Sequence, residues 1–272
     1  MDHQPPAALT MRTPREHLPG PGAYARDLEL LTDMAPAHGP RLYLQPLAAG
    51  ADNTRPLNKA QEQRLNTITN PTRRLEYRLS RQLLQRALAR ECPGRDNHQV
   101  PAAGPLLLPP EWGRYAAMAH SDGLAVCGLY QRPLGLDLEP RNRILHWQAL
   151  AERWFTPREQ ACLAALPPAT GKDRFLLLWT LKEAWLKATH QGIANNLQQL
   201  QLTQGAADPS RWQLSLPANN SGWQAGVLVV SGYWLSLLWQ PEEPSATKGP
   251  AAPAMPQAPP WQLHTPLQCR QT

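Results

Sequence analysis

Residues 179–193 read WTLKEAWLKATHQGI, and residues 135–140, earlier in the chain, read GLDLEP. The first stretch has the spacing of a helix that is apolar around most of its circumference. Phe175, Leu176, Leu178, Leu181, Trp185 and Leu186 surround the charged Lys182, Glu183 and Lys187. Glu183 and Lys187 are four residues apart and share a face, with Trp179 one turn before them. As a solvated bridge, such a pair contributes only about 0.3 kcal/mol. A carboxylate partly buried among Leu and Trp needs a stronger partner, and a hard divalent cation is one. In GLDLEP, strand alternation puts Asp137 and Glu139 on one face and Leu136 and Leu138 on the other. Carboxylates about 7 Å apart along a strand repel unless a cation or water lies between them. Alone, the segment reads equally as an exposed strand edge. Together, Asp137, Glu139 and Glu183 supply three oxygen ligands of the kind Mg²⁺ takes, leaving positions for water and phosphate. Lys187, one turn on, is placed to neutralise phosphate charge.

Working outward, RLYLQPL (41–47) reads as a strand. Pro71 opens a helix whose Leu75, Leu79, Leu83 or Leu84, and Leu88 fall at core spacing, with Arg74, Arg78 and Arg81 on its other face. RYAAMAH, GLAVCGLYQ and LGLDLE read as three strands, the first two joined at Ser121-Asp122-Gly123. Helical sequence runs from Ile144 to His190, broken near Thr156-Pro157 and Pro167-Pro168. Thr156 caps the middle helix and Glu159 completes its capping box. RWQLSLP, WQAGVLVV and GYWLSLLWQ return to strands. Helices followed by strands, twice over, predict an α+β fold of two similar halves. The expected boundaries are a disordered N-terminal tail (1–22), an N-terminal α+β half (23–133), a C-terminal α+β half with the acidic residues (134–240), and a disordered Pro-rich tail (241–272).

Composition narrows the classes. The chain has 272 residues, 42% hydrophobic and 18% charged, enough for a sizeable core. Its 30 prolines crowd the ends, where few groups are able to build a core. No apolar run is long enough to span a membrane and the N-terminus lacks a signal-peptide core, so a cytoplasmic protein without membrane contact is expected. Cys92, Cys127, Cys162 and Cys269 are scattered without a C-x-x-C pair, which predicts reduced structural thiols. Gly20-Pro-Gly22-Ala-Tyr-Ala25 formally matches a dinucleotide motif, but no strand precedes it and prolines interrupt it. The net charge of +6 favours an acidic partner, whether nucleic acid, polyphosphate or acidic protein.

GLDLEP, Arg153-Trp154-Phe155 and the Trp179–Lys187 helix together resemble the signatures of the 4′-phosphopantetheinyl transferases of the surfactin-synthetase-activating type, which include bacterial holo-acyl-carrier-protein synthases. The motifs cover about residues 120–192. The resemblance implies two α+β halves related by a pseudo-twofold axis. It also implies a reaction in which coenzyme A gives its phosphopantetheine arm to a serine of an apo acyl carrier protein or peptidyl carrier domain, releasing 3′,5′-ADP. On the same ground Asp137, Glu139 and Glu183 are expected to hold Mg²⁺, and Glu159 to deprotonate the serine directly or through metal-bound water. Lys187 is expected at the pyrophosphate, and Lys182 matches the lysine that precedes the ligand glutamate and is expected to help bind coenzyme A. His120 and Ser121 match an S-H-S element at the coenzyme A 3′-phosphate, and Arg74 and Arg81 lie where the family has basic residues near that phosphate.

Three positions depart from the pattern. Ala119 replaces the first serine of S-H-S, the usual lysine has no counterpart near Gly104-Pro105, and His190 stands where glycine is frequent. None removes an expected metal ligand. Transfer to an acidic carrier protein fits the positive charge, and a monomer that binds no nucleic acid is expected. Two other classes are compatible with paired acids on a basic chain. One is a metal-dependent nuclease, which would bind DNA with steep salt dependence; the other is a non-catalytic basic binding protein.

Overall fold

The computed structural model describes residues 9–10, 29–30, 39–46, 56–95, 100–191, 197–204, 212–215 and 223–241. The tails expected to be disordered fall outside these residues, apart from strand β1 (Leu9–Thr10) and Pro241. The Gly20–Ala25 stretch, Cys269 and Gly192 also lie outside them.

The first half contains β2 (Glu29–Leu30), β3 (Arg41–Pro46), α1 (Lys59–Asn66), α2 (Pro71–Glu91), β4 (Tyr115–Ser121) and β5 (Leu124–Tyr130). The second contains β6 (Leu134–Pro140), α3 (Trp147–Trp154), α4 (Pro157–Ala164), α5 (Pro168–Ala188), β7 (Gln201–Gln204), β8 (Trp212–Ser215), β9 (Gln224–Val230) and β10 (Tyr233–Trp239). Sheet orders are β2-β3-β5-β4 and β6-β10-β9, all antiparallel, with β1-β8-β7 as a third small sheet. The fold is α+β.

The same path is walked twice: strand, long helix, then a hairpin whose second strand pairs back onto the first. In one half it is β3, α2, β4 and β5; in the other it is β6, α5, β9 and β10. Both hairpins turn through two residues at positive φ, Asp122-Gly123 and Ser231-Gly232. That geometry matches the twist of paired strands. Both long helices have 21 residues.

Three apolar cores follow from this path. Strand residues Leu42, Leu44, Ala117, Val126, Leu136, Leu138, Leu235 and Leu237, drawn from both sheets, form the central one. Leu79, Leu83, Leu84 and Leu88 of α2 cover the outer side of the first sheet. Phe175, Leu178, Leu181 and Trp185 of α5 cover the second, with α3 and α4 packed beyond. The structure is therefore layered helix, sheet, sheet, helix, and the two halves meet through their sheets.

Local signals explain the helix boundaries. Asn70 caps α2 by accepting from the Arg73 N–H at 3.0 Å, with Pro71 in the first turn. Thr156 and Glu159 form the expected capping box of α4. Helix α1, which hydrophobic spacing did not indicate, starts at a capping box of its own, Asn58 with Gln61. Two side chains of α2 depart from the amphipathic reading. Leu75, expected at core spacing, is 42% exposed, and Arg81, placed on the face away from the core leucines, is 8% exposed. No helix among the described residues is long and apolar enough to cross a membrane. Cys92, Cys127 and Cys162 are free thiols, and burial pushes Cys127 up to about 12.

Candidate active site

The site begins with a glycine. A Cβ on Gly135 would lie 2.1 Å from the Ala184 carbonyl oxygen and 2.4 Å from the Ala188 nitrogen. Backbone cannot yield to such a contact, so glycine is what lets β6 lie directly against α5. That approach sets Asp137 and Glu139, on one face of β6, beside the Glu183 and Lys187 face of α5. Lys187 Nζ donates to Asp137 Oδ1 at 2.6 Å. Arg143 pairs with Glu139, whose other oxygen accepts from Ser121 Oγ at 3.5 Å.

The three acids feel one another. Burial raises Glu183 to about 7, with Asp137 and Glu139 adding to the rise and Lys187 opposing it. Glu139 is also raised, by burial first and by Asp137, against Arg143 and Lys187. A set of oxygen donors that repel each other in a half-buried cleft suits a hard divalent cation. Among the described residues, no three acids, histidines or cysteines are drawn into a ready metal cage. Two of the three carboxylates instead hold cations of the chain.

Lys187 and Ser121, which hold Asp137 and Glu139, also line clefts shared with basic residues of the first half. A cleft of about 470 Å³ runs between Arg81, Gly104–Leu106 and β4 on one side and Leu186, Lys187, His190 and Gln191 on the other. A second, of about 870 Å³, opens around the N-terminus of α2 and includes Arg64, Arg73, Tyr77, Arg81, His120 and Ser121. Arg81 and His120 line both. Arg81 donates from Nη2 to the Ala102 carbonyl at 3.1 Å and stacks over Tyr77, while its Nε has no partner among the described residues. His120 Nδ1 is 3.7 Å from Glu76. Burial, Lys187 and Arg81 lower its pKa, against Asp137.

Three expected site residues lie elsewhere. Glu159 and Lys182 form a buried pair at 2.9 Å, their side chains 1% and 0% exposed. Lys182 Nζ also donates to the Leu197 and Leu200 carbonyls at 2.7 and 2.6 Å and sits 5.0 Å from the Phe155 ring. The reason is helical rotation: adjacent residues point about 100° apart, so Lys182 faces Glu159 of α4 while Glu183 faces Asp137 and Glu139 of β6. Glu159, fixed by its capping box and by Lys182, does not open to the cleft. Arg74, also on the wrong side of its helix, donates to Asn66 Oδ1 at 3.0 Å, and Arg73 lines the cleft instead.

Sequence reading missed Arg64, Arg73 and Arg143. Asn70 fixes the start of α2 and so implied the register favouring Arg73. Glu139 and Arg143 are four apart, but they lie at a strand end, where helical spacing gave no guidance.

His190, in the position where glycine is frequent, has φ +55°. The Gln191 N–H bonds to the Leu186 carbonyl at 2.9 Å, and His190 thus occupies the left-handed position that terminates α5.

A family model described as the 4′-phosphopantetheinyl transferase superfamily matches residues 133–238, the half that carries the three acids. The chain is 29% identical over 231 residues to 4′-phosphopantetheinyl transferase HetI of Nostoc sp. (strain PCC 7120), covering 78% of this chain and 94% of HetI. It is 24% identical over 156 residues to 4′-phosphopantetheinyl transferase Sfp of Bacillus subtilis (strain 168), covering 52% and 68%. Against 4′-phosphopantetheinyl transferase psf-1 of Bacillus pumilus it is 34% identical over 80 residues, covering 29% and 34%.

Proposed function

The chain belongs to the 4′-phosphopantetheinyl transferase superfamily, and from that premise we propose that it moves the phosphopantetheine arm of coenzyme A onto a serine of an apo acyl or peptidyl carrier protein. In this reaction the serine oxygen forms a bond to the β-phosphorus of coenzyme A. The bond from that phosphorus to the bridging oxygen breaks, and 3′,5′-ADP leaves. One observation carries the reading: Lys187, which lines a cleft together with Arg81 and His120, is bonded to Asp137 of a cluster of three mutually repelling acids. A ligand matching the cationic cleft and the acids beside it is a polyanion that arrives with a divalent cation.

Asp137, Glu139 and Glu183 are the residues that would hold Mg²⁺, which when bound would offset charge on the diphosphate. The remaining work falls to the chain. Arg81 and Arg73 bind phosphate, the forked guanidinium of Arg81 having an Nε still to satisfy. Lys187 gives up Asp137 for the leaving diphosphate oxygen. Glu183, on the helix that also carries Lys187, is assigned to take the serine proton. Glu159 loses that role because its carboxylate is shut inside a fully buried ion pair.

The test is direct. The chain is incubated with coenzyme A, Mg²⁺ and apo carrier proteins of fatty-acid, polyketide and nonribosomal-peptide type, and each carrier is weighed. A mass gain of one phosphopantetheine that disappears with Glu183→Gln is expected. No gain on any carrier overturns the proposal.

A further inference from the structure

Glu139 does not stand alone at the end of β6. Pro140 closes the strand, and the chain turns back on itself, the Arg143 N–H bonding to the Pro140 carbonyl at 3.0 Å. This turn lays Arg143 on the Glu139 carboxylate. The neighbouring cation in the turn, Arg141, is committed elsewhere. It donates to both oxygens of Asp173 at 2.8 and 3.2 Å and lies over the Trp234 ring at 4.8 Å. Arg143 and Lys187 are thus the two chain cations placed directly on the acidic cluster among the described residues.

The two partners differ in freedom. The Glu139 side chain is 11% exposed and fixed by its strand, whereas that of Arg143 is 45% exposed. When the pair opens, Arg143 moves into water at little cost, while Glu139 remains on β6 beside Asp137. Lys187 has a second partner waiting in the proposed substrate phosphates. Among the described residues Arg143 pairs with Glu139 and lines neither cleft, so its effect on the cluster is competition.

We propose that Arg143 competes with the divalent cation for the Glu139 carboxylate and thereby sets how tightly the free enzyme binds metal. The inference rests on the reading of Asp137, Glu139 and Glu183 as a divalent-cation site. A guanidinium on Glu139 cancels one of the charges that attract the ion, and its departure restores that charge. Metal binding in the absence of coenzyme A is then weak by construction. The deficit is a local ion pair that salt can screen.

The experiment measures Mn²⁺ binding to the full chain without coenzyme A, by electron paramagnetic resonance of the free ion and by calorimetry. Arg143→Gln is expected to tighten binding on the order of tenfold. Arg143→Lys should stay near the wild type. Arg158→Gln, which removes the same charge from an exposed position on α4, should change binding less than about twofold. Raising the salt should narrow the gap between wild type and Arg143→Gln. Thermal melting checks that each variant is folded. Unchanged or weaker binding in Arg143→Gln overturns the inference, as does an equal gain in Arg158→Gln. If the wild type shows no saturable Mn²⁺ binding that Asp137→Asn abolishes, the underlying site reading falls first.

Discussion

Helices α2 and α5 occupy equivalent places in two halves built on one path, yet they carry opposite chemistry. Helix α2 sends arginines toward the cleft, with Arg73 at its first turns and Arg81 midway. Helix α5 sends Glu183 and Lys187, and its strand adds Asp137 and Glu139. The difference also shows in how the buried charge is managed. Arg81 of α2 keeps an Nε without a partner among the described residues, beside open space. Lys182 of α5 has every donor occupied by Glu159 and two carbonyls. An unsatisfied buried donor is costly and points to a ligand; a satisfied buried pair points to structure. In the proposed function, equivalent scaffolds divide the labour, one half for the anion and the other for the cation that accompanies it.

The sharpest break of this comparison removes an acid from the α5 side. Glu183→Gln should lower the transfer rate about 10²–10³-fold while the melting temperature holds or rises, since a repelling carboxylate has gone. A variant that retains full activity would remove Glu183 from the chemistry.

The second test separates structural charge from functional charge on the same helix. Lys182→Met leaves Glu159 buried without its partner and should destabilise the fold by about 3–5 kcal/mol. Lys182→Met combined with Glu159→Gln should recover much of that loss in denaturant titration. If Glu159→Gln alone kept the stability and abolished turnover, Glu159 would be the base after all.

On the α2 side, Arg81→Ala should raise the KM for coenzyme A about 10- to 100-fold, the scale of a charge-assisted hydrogen bond, with a smaller change in kcat. Arg74→Ala should alter either by less than about twofold, as expected for an exposed residue that pairs with Asn66. Equal effects from the two would put the register argument in error.

The smallest effect is one of pH. Glu183 is raised from 4.5 to about 7 in the folded chain. Between these values the folded state holds a proton that the unfolded state has released. The associated stability is complete below about pH 4.5 and lost as the pH climbs through 7. Melting temperature measured without divalent cations should therefore fall across that window, and Glu183→Gln should flatten the slope. A slope unchanged by the substitution would assign the proton to another group.

Much of the scaffold could be read along the chain. Pro71, Thr156 and Pro168 marked helix starts, Asp122-Gly123 marked a hairpin, and alternation set Asp137 and Glu139 on one face of β6. These are local effects, fixed within a few residues by capping, turn geometry and the strand period. The short strands β1, β2 and β7 carried too little pattern to be seen, because their hydrogen bonds depend on partners remote in sequence.

The site divides along the same line. The residue types, the spacing from Glu183 to Lys187 and the glycine ahead of Asp137 were all present in the sequence, and they limited the chemistry to acids, cations and phosphate. Which way Lys182 and Glu159 point, which arginine of α2 meets the cleft, and that Arg143 rests on Glu139 were decided only when helices packed on sheets. A side chain's role depends on which of its neighbours reach it first, and those neighbours come from distant parts of the chain.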